Sequence, residues 1–386
     1  MKRFKGVKTV FATNMRTGIA DLPLHYGRAP KWLFEKMVRL SRAIIEVIVA
    51  EQGAQEFLRR ISDPFWFQSF GSVLGFDWHS SGLTTTVCGA MKEGTKDIVH
   101  ELGLYFCGGK GGTSRKTPQE IEKIAEKIGK DPSNLIYASK MSAKIDNTCV
   151  QDGYNLYHHM FIFTKDYDWA VVQQGMRSDL THKTKVFFPQ KIKERTARRY
   201  HWFSRNLSSF VCEPHTAVCC DIIQPSLNMV AQESEASQKI VTKISCEDPE
   251  KIMKETERIL QMPQRHPVLI NDINPKYLHK VLLKTYELMP SSFENLIQIE
   301  GLGPKTLRAL ALIGELIYGV KPSFRDPARY SFAHGGKDGF PYPVDRMVYE
   351  QSINFLVDTI RRAKIGVNDK LKLLKKLTKF CRVDFC

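Results

Sequence analysis

The chain has 386 residues, enough for two domains with their own cores, and carries 57 Lys and Arg against 41 Asp and Glu, a formal net charge of +16. That excess points to a polyanionic partner, and the absence of any run of about 18 apolar residues means no transmembrane span is expected. Nine cysteines, scattered from Cys88 to Cys386, do not form the disulfide framework of a secreted domain.

The basic opening MKRFKGVKTVF lacks the apolar core of a signal peptide, so a cytoplasmic location is expected. MRTGIADLPLHYGRAP reads as a short strand and loop ending at Pro30, a favourable first helical residue. The next stretch places Leu33, Met37, Leu40, Ile44, Val47 and Ile48 on one helical face and stops at Gly53. A second helix begins at Asp63-Pro64, with Asp63 as its cap, and GFDWHSSG is loop-like. In LTTTVCGAMKEG the three threonines suggest strand, but Leu83, Val87 and Met91 recur at helical spacing, and helix is favoured.

ELGLYFCGGKGGTSRKTPQEIEKIAEKIG predicts strand, glycine loop and helix, with Thr117-Pro118-Gln119-Glu120 as a capping box. NLIYAS reads as another strand, and SAKIDNTCVQDG as a short helix and turn. NLYHHMFIFTKDYDWAVVQQGM then predicts two strands joined through Lys165-Asp166-Tyr167-Asp168. This succession gives an α/β or α+β domain over residues 1–230. Beyond the polar stretch AQESEASQK everything past Asp248 has helical period, so residues 231–386 are expected to form an all-α domain. It is interrupted by RYSFAHGGKDGFPYP, a long loop of the kind that often carries function.

Within that half, IEGLGPKTL predicts a helix-hairpin-helix over residues 293–319. Gly301 and Gly303 suit a tight turn, and Pro304 suits a first helical position. Backbone N–H groups at such a helix start can hold a phosphate, so Gly301, Gly303 and Lys305 are expected to grip a DNA backbone.

The chemistry is expected in the first domain. Asp77 and His79 lie in FDWH, Asp146 and Asp152 flank a short helix, and His158 and His159 are neighbours on a strand. Carboxylates with imidazole suit Mg²⁺ or Mn²⁺, which activate water in phosphodiester hydrolysis. Asp77, Asp146, Asp152 and His159 are therefore the expected metal ligands, with His79 and His159 as ligand or base. The plainer alternatives are a helix cap or solvent-facing position for Asp146, a turn for Asp152, and a core position for one of the paired histidines. In CGGKGGTSRK, Lys110 is followed by Gly111, which fails the Walker pattern. Lys110, Arg115 and Lys116 beside a helix start would still hold a phosphate, with Lys110 and Arg115 orienting the scissile one.

CEPHTAVCC offers Cys212, His215, Cys219 and Cys220 but no paired C-x-x-C, so buried thiols are favoured over zinc. HKTKVFFPQKIKERTARRYHWFSR interleaves Lys191, Lys193, Arg198 and Arg199 with Tyr200 and Trp202. Cations for phosphates with aromatics for unpaired bases make a surface for single-stranded or distorted DNA.

Taken in order, DLPLHYGRAP, GFDWHSSG, CGGKGGTSRKTP, SAKIDNTCVQDGYNLYHH, WAVVQQGM and ARRYHWFS resemble the family catalogued as domain of unknown function 763, found in thermophilic archaea and bacteria. The resemblance covers most of the chain and implies a DNA-associated, metal-dependent nuclease with a helical DNA-binding domain. IEGLGPKTLRALALIGELIYG is also similar to the hairpin of the helix-hairpin-helix DNA glycosylases. That similarity implies an alternative in which Lys305 attacks a sugar carbon and Asp345 supports it. The distance between the two is long for that family, and Cys381 and Cys386 cannot make its iron–sulfur cluster. The expected protein is a nuclease using Mn²⁺ or Mg²⁺ on single-stranded or structured DNA, in repair or processing. A glycosylase and a non-enzymatic DNA-binding protein are the alternatives, and pairing with a second copy of the chain is left open.

Overall fold

Residues 29–76, 81–177, 197–220, 223–260, 274–328 and 346–382 are described by a computed structural model. Four helices come first: α1 (Lys31–Gln52), α2 (Ala54–Ile61), α3 (Pro64–Leu74) and α4 (Gly82–Thr95), followed by the single turn α5 (Val99–Leu102). Asp63 caps α3 as expected, its Oδ1 accepting from the N–H groups of Phe65 (2.8 Å) and Trp66 (3.1 Å). The threonine-rich stretch is helical, because Leu83, Val87 and Met91 bury one face.

Strand β1 (Leu104–Lys110) leads through a 3₁₀ turn into α6 (Thr117–Ile128), and α7 (Ser133–Lys144) follows. Two expectations fail in this region. Thr117 is the first residue of α6 and not its cap, and its hydroxyl donates to the Ser114 carbonyl (2.7 Å). Glu120 turns instead to β1, accepting from Gly108 N–H (2.7 Å) and pairing with Lys92 (2.6 Å). Residues 134–139, expected as a strand, lie in α7, where Leu135, Ala138, Ser139, Met141 and Ser142 are buried at helical spacing. A six-residue apolar window cannot separate the two periods.

After α7 comes one π-helical turn (Ile145–Cys149), then β2 (Val150–Gln151), β3 (Asn155–Thr164), β4 (Trp169–Met176), β5 (Ala197–Phe203), β6 (Ala217–Cys219) and β7 (Leu227–Asn228). Strands β1, β3, β4, β5 and β6 form one sheet in the order β1-β3-β4-β5-β6, antiparallel throughout, and β2 pairs with β7. Gly108, at φ +92, is required where β1 meets β3, since a Cβ there would lie 2.2 Å from the His159 carbonyl oxygen. From residue 235 the regular elements are helices: α8 (Glu235–Ser245), α9 (Pro249–Leu260), α10 (Pro275–Leu288), α11 (Phe293–Gln298), α12 (Pro304–Tyr318), α13 (Arg346–Arg362) and α14 (Val367–Arg382).

Side-chain alternation gives the sheet two apolar faces, each covered by helices. Phe106, Met160, Ile162, Val172 and Phe203 pack with α1–α4 and with Leu356, Ile360 and Leu373 of α13 and α14. Tyr105, Cys107, Phe161, Val171 and Trp202 pack with α6, α7 and residues of α8–α12 in a second continuous cluster. Residue 230, the boundary expected from composition, therefore falls within a shared core. The strand and loop expected before residue 29, and the loop 329–343, lie outside the described residues. Among the described residues no helix is long and apolar enough to cross a membrane.

Candidate functional site

Three adjacent strands each supply a consecutive polar pair, and the pairs are in register. His158 lies opposite Gln174, which lies opposite Arg199, and His159 opposite Gln173, which lies opposite Tyr200. Alternation sends one member of each pair to each face. A bulge at Tyr157 shifts the register beside them and brings its hydroxyl to the Gln174 amide.

On the α7 face, the Ser139 hydroxyl bonds His159 Nε2 (2.9 Å), and His159 Nδ1 bonds Gln173 Oε1 (2.8 Å). Gln173 Nε2 donates to Asp146 Oδ2 (2.6 Å), where Trp202 Nε1 also donates (3.0 Å). The other oxygen, Oδ1, is bonded to His215 Nε2. An amide that must accept from His159 in order to donate to Asp146 fixes the sense of the whole relay. Burial pushes the His159 pKa down to about 4, against the opposing Gln173 bond, which leaves the ring neutral. Burial pushes the Asp146 carboxyl up, and His215 and Trp202 offset that only in part.

Asp152 stands in a separate ionic group. Its Oδ2 accepts from Arg198 Nη1 (2.9 Å) and the Tyr200 hydroxyl (2.7 Å), and its Oδ1 accepts from Tyr154 N–H (3.0 Å). Arg198 also grips both oxygens of Asp326 (2.9 and 2.8 Å), beyond α12 in sequence. Burial works against the charge on Arg198, but Asp326 and Asp152 outweigh it and hold its pKa well above the usual value. On the opposite face Arg199 donates to Gln68 (2.7 Å) and Thr84 (3.3 Å). His158 is buried there with neither ring nitrogen hydrogen-bonded among the described residues, and burial, with His159 and Lys110 adding to it, pushes its pKa down to about 3.

The sheet thus gathers Asp146, Asp152, His159, Tyr200 and Trp202 on one face. Arg198, Arg199, Tyr200 and Trp202 correct the sequence expectation of a surface strip: none is more than 1 % exposed, because β5 is a sheet strand covered on both faces. Lys110, Arg115 and Lys116 are exposed around the 3₁₀ turn. Asp77, His79, Lys191, Lys193 and Asp345 lie outside the described residues. Among the described residues no three His, Cys, Asp or Glu side chains are placed to hold a metal ion. Asp146, Asp152 and His159 do not fit Mn²⁺ or Mg²⁺ as a set. Both nitrogens of His159 and every carboxylate oxygen of the two aspartates already face a protein partner, and Arg198 brings a positive charge to Asp152.

The turn between α11 and α12 adjoins this layer. Gly301 is left-handed at φ +91, Gly303 precedes α12 in an extended conformation, and Lys305 is exposed on the first turn. Lys144, at the end of α7, donates to the Leu302 carbonyl. Gln151 donates to the Pro304 carbonyl (2.8 Å) and accepts from Arg308 (2.9 Å). The residue missed from sequence is His215, which stood out only as a neighbour of cysteines. Cys219 and Cys220 are buried as expected, while Cys212 is exposed.

No curated protein and no solved structure matches this chain. A family model described as "Protein of unknown function (DUF763)" matches residues 18–344, most of its length, and the chain belongs to that family.

Proposed function

We propose that this chain binds DNA and hydrolyses phosphodiester bonds at the polar layer on the α7 face, acting on single-stranded or distorted DNA. The observation that carries this reading is the bracing of the glycine turn. Lys144 and Gln151, which flank Asp146 in sequence, hold the carbonyls of Leu302 and Pro304. A turn whose carbonyls are held inward is pre-organised to offer the N–H groups at the start of α12 to a backbone phosphate. Such a grip would present DNA beside a carboxylate–imidazole pair. The net charge of +16 supports a polyanionic ligand and gives no sequence preference.

The deciding experiment uses end-labelled single-stranded, bubble and duplex DNA, each with Mn²⁺, with Mg²⁺ and with EDTA. Cleavage of the single-stranded or bubble substrate is expected. Cleavage that survives EDTA would agree with a site in which the aspartates are occupied by protein donors. Cleavage abolished by EDTA would return the metal to the mechanism and require ligands beyond Asp146, Asp152 and His159 as they now stand. Tight binding without cleavage on any substrate would leave a DNA-binding protein and remove the hydrolase.

A further inference from the structure

We propose that His215 is the general base of this site, with Asp146 as its positioning residue and a phosphodiester as the class of substrate. The role rests on the hydrolase reading above and adds the group that activates water. Two N–H donors, from Gln173 and Trp202, meet on Asp146 Oδ2 and leave Oδ1 to face His215. Oδ1 is then an acceptor for His215, so Nε2 carries the hydrogen and Nδ1 keeps its lone pair. The ring is fixed edge-on to Trp202, with centroids 4.7 Å apart, and lies 5.9 Å from the Tyr200 ring. Its Nδ1 has no hydrogen-bond partner among the described residues.

The other histidines of the sheet lack this combination. His159 has both nitrogens occupied, while His158 has no carboxylate partner and His201 bonds the Ile61 carbonyl through Nδ1. A base needs an acceptor nitrogen held in place by a third group, and His215 has both. In the step, a water O–H bond breaks and its proton passes to Nδ1 while the oxygen forms a bond to phosphorus. The P–O bond to the leaving oxygen breaks with its electron pair, and that oxygen takes a proton from solvent. His215 then returns its proton to solvent. Asp146 holds the ring in place through Oδ1.

The test uses the full chain with two substrates: end-labelled single-stranded DNA, and bis(para-nitrophenyl) phosphate, an activated diester that needs no DNA grip. His215→Ala should lower kcat on both by roughly 100-fold or more while leaving KM for DNA near that of the unaltered chain. Added imidazole should restore part of the rate to His215→Ala, which a collapsed protein could not show. Asp146→Asn should lose rate similarly without rescue by imidazole. Wild-type rates in His215→Gln, or a His215→Ala enzyme that imidazole does not restore, would overturn the assignment even if the unaltered chain cuts DNA. His215-dependent hydrolysis of the small diester with DNA left intact would keep the base and remove DNA as substrate. Hydrolysis of neither substrate by the unaltered chain would remove both.

Discussion

Asp146 and Asp152 sit close in sequence yet meet different electrostatics. Asp146 receives donors and an imidazole, while Asp152 is neutralised by Arg198, which is shared with Asp326. Arg198→Met would leave two buried carboxylates without their counter-charge, and the expected cost is about 3–5 kcal/mol in urea unfolding. The paired histidines carry a separate prediction. Both are buried, with pKa values pushed down to about 3 for His158 and about 4 for His159. An unfolded imidazole takes up its proton near pH ~6.5, so below that the unfolded state binds more protons than the folded one. The stability these rings contribute is present above about pH 6.5 and lost as pH falls towards about 4. His158→Phe should reduce that loss, because one proton fewer is taken up on unfolding. At neutral pH it should be neutral or stabilising, since no hydrogen bond of the ring is given up. Thermal melts of both proteins at neutral pH and at about pH 5 check this, and a steeper acid loss in the variant would refute it.

Among the elements, the turn between α11 and α12 is the place to separate the proposed binding from the proposed chemistry. A Cβ on Gly301 would have room, meeting Tyr277 Oη and Val281 Cγ2 at 3.6 Å, so the conformation and not the space requires glycine. At φ +91 an alanine should cost about 1–2 kcal/mol and distort the carbonyls that Lys144 and Tyr277 hold. Gly301→Ala is therefore expected to weaken DNA binding while hydrolysis of a small diester persists. Equal losses on the two substrates would mean that the turn supports the whole site. Lys305→Gln, which removes one exposed cation, should weaken DNA binding by only about fivefold or less. Borohydride trapping on abasic DNA checks the rival role for this lysine: a covalent adduct lost in Lys305→Gln would make it a nucleophile.

At the scale of the whole molecule, charge and packing make separate predictions. With a net charge of +16, DNA affinity should fall steeply as salt rises, because counterions released from phosphates drive binding. Replacing Lys191 and Lys193 by Glu should weaken binding and flatten the slope; affinity indifferent to salt would remove DNA from the expected partners. Arg198 and Arg199 are unsuited to that experiment, since their substitution acts on the core. Helices α13 and α14 return to cover α1 and α3, with Arg60 stacked 3.7 Å from the Phe355 ring centroid and Arg362 paired with Glu51. Truncation after residue 328 should therefore lower the melting temperature of the chain that remains, although it keeps every strand of the five-stranded sheet. An unchanged melt would show that those helices do not support it.

Much of the helical framework was legible in the sequence, because a buried face repeats along one segment and caps such as Asp63 act locally. The strands β3 and β4 and the turn joining them were legible for the same reason: alternation and turn residues are properties of neighbours in the chain. Residues 134–139 went astray because a short apolar run satisfies either period until something packs against it. Composition marked Arg198, Arg199, Tyr200 and Trp202 as a surface for nucleic acid, but charge and aromaticity do not say which side of a sheet a residue occupies. Only the tertiary structure decided that β5 is interior, where Asp152 and Asp326 neutralise Arg198. It likewise joined Asp146 to His215, two residues that no local pattern relates. A hydrogen bond across the fold depends on where the chain returns in space, and periodicity carries no record of that.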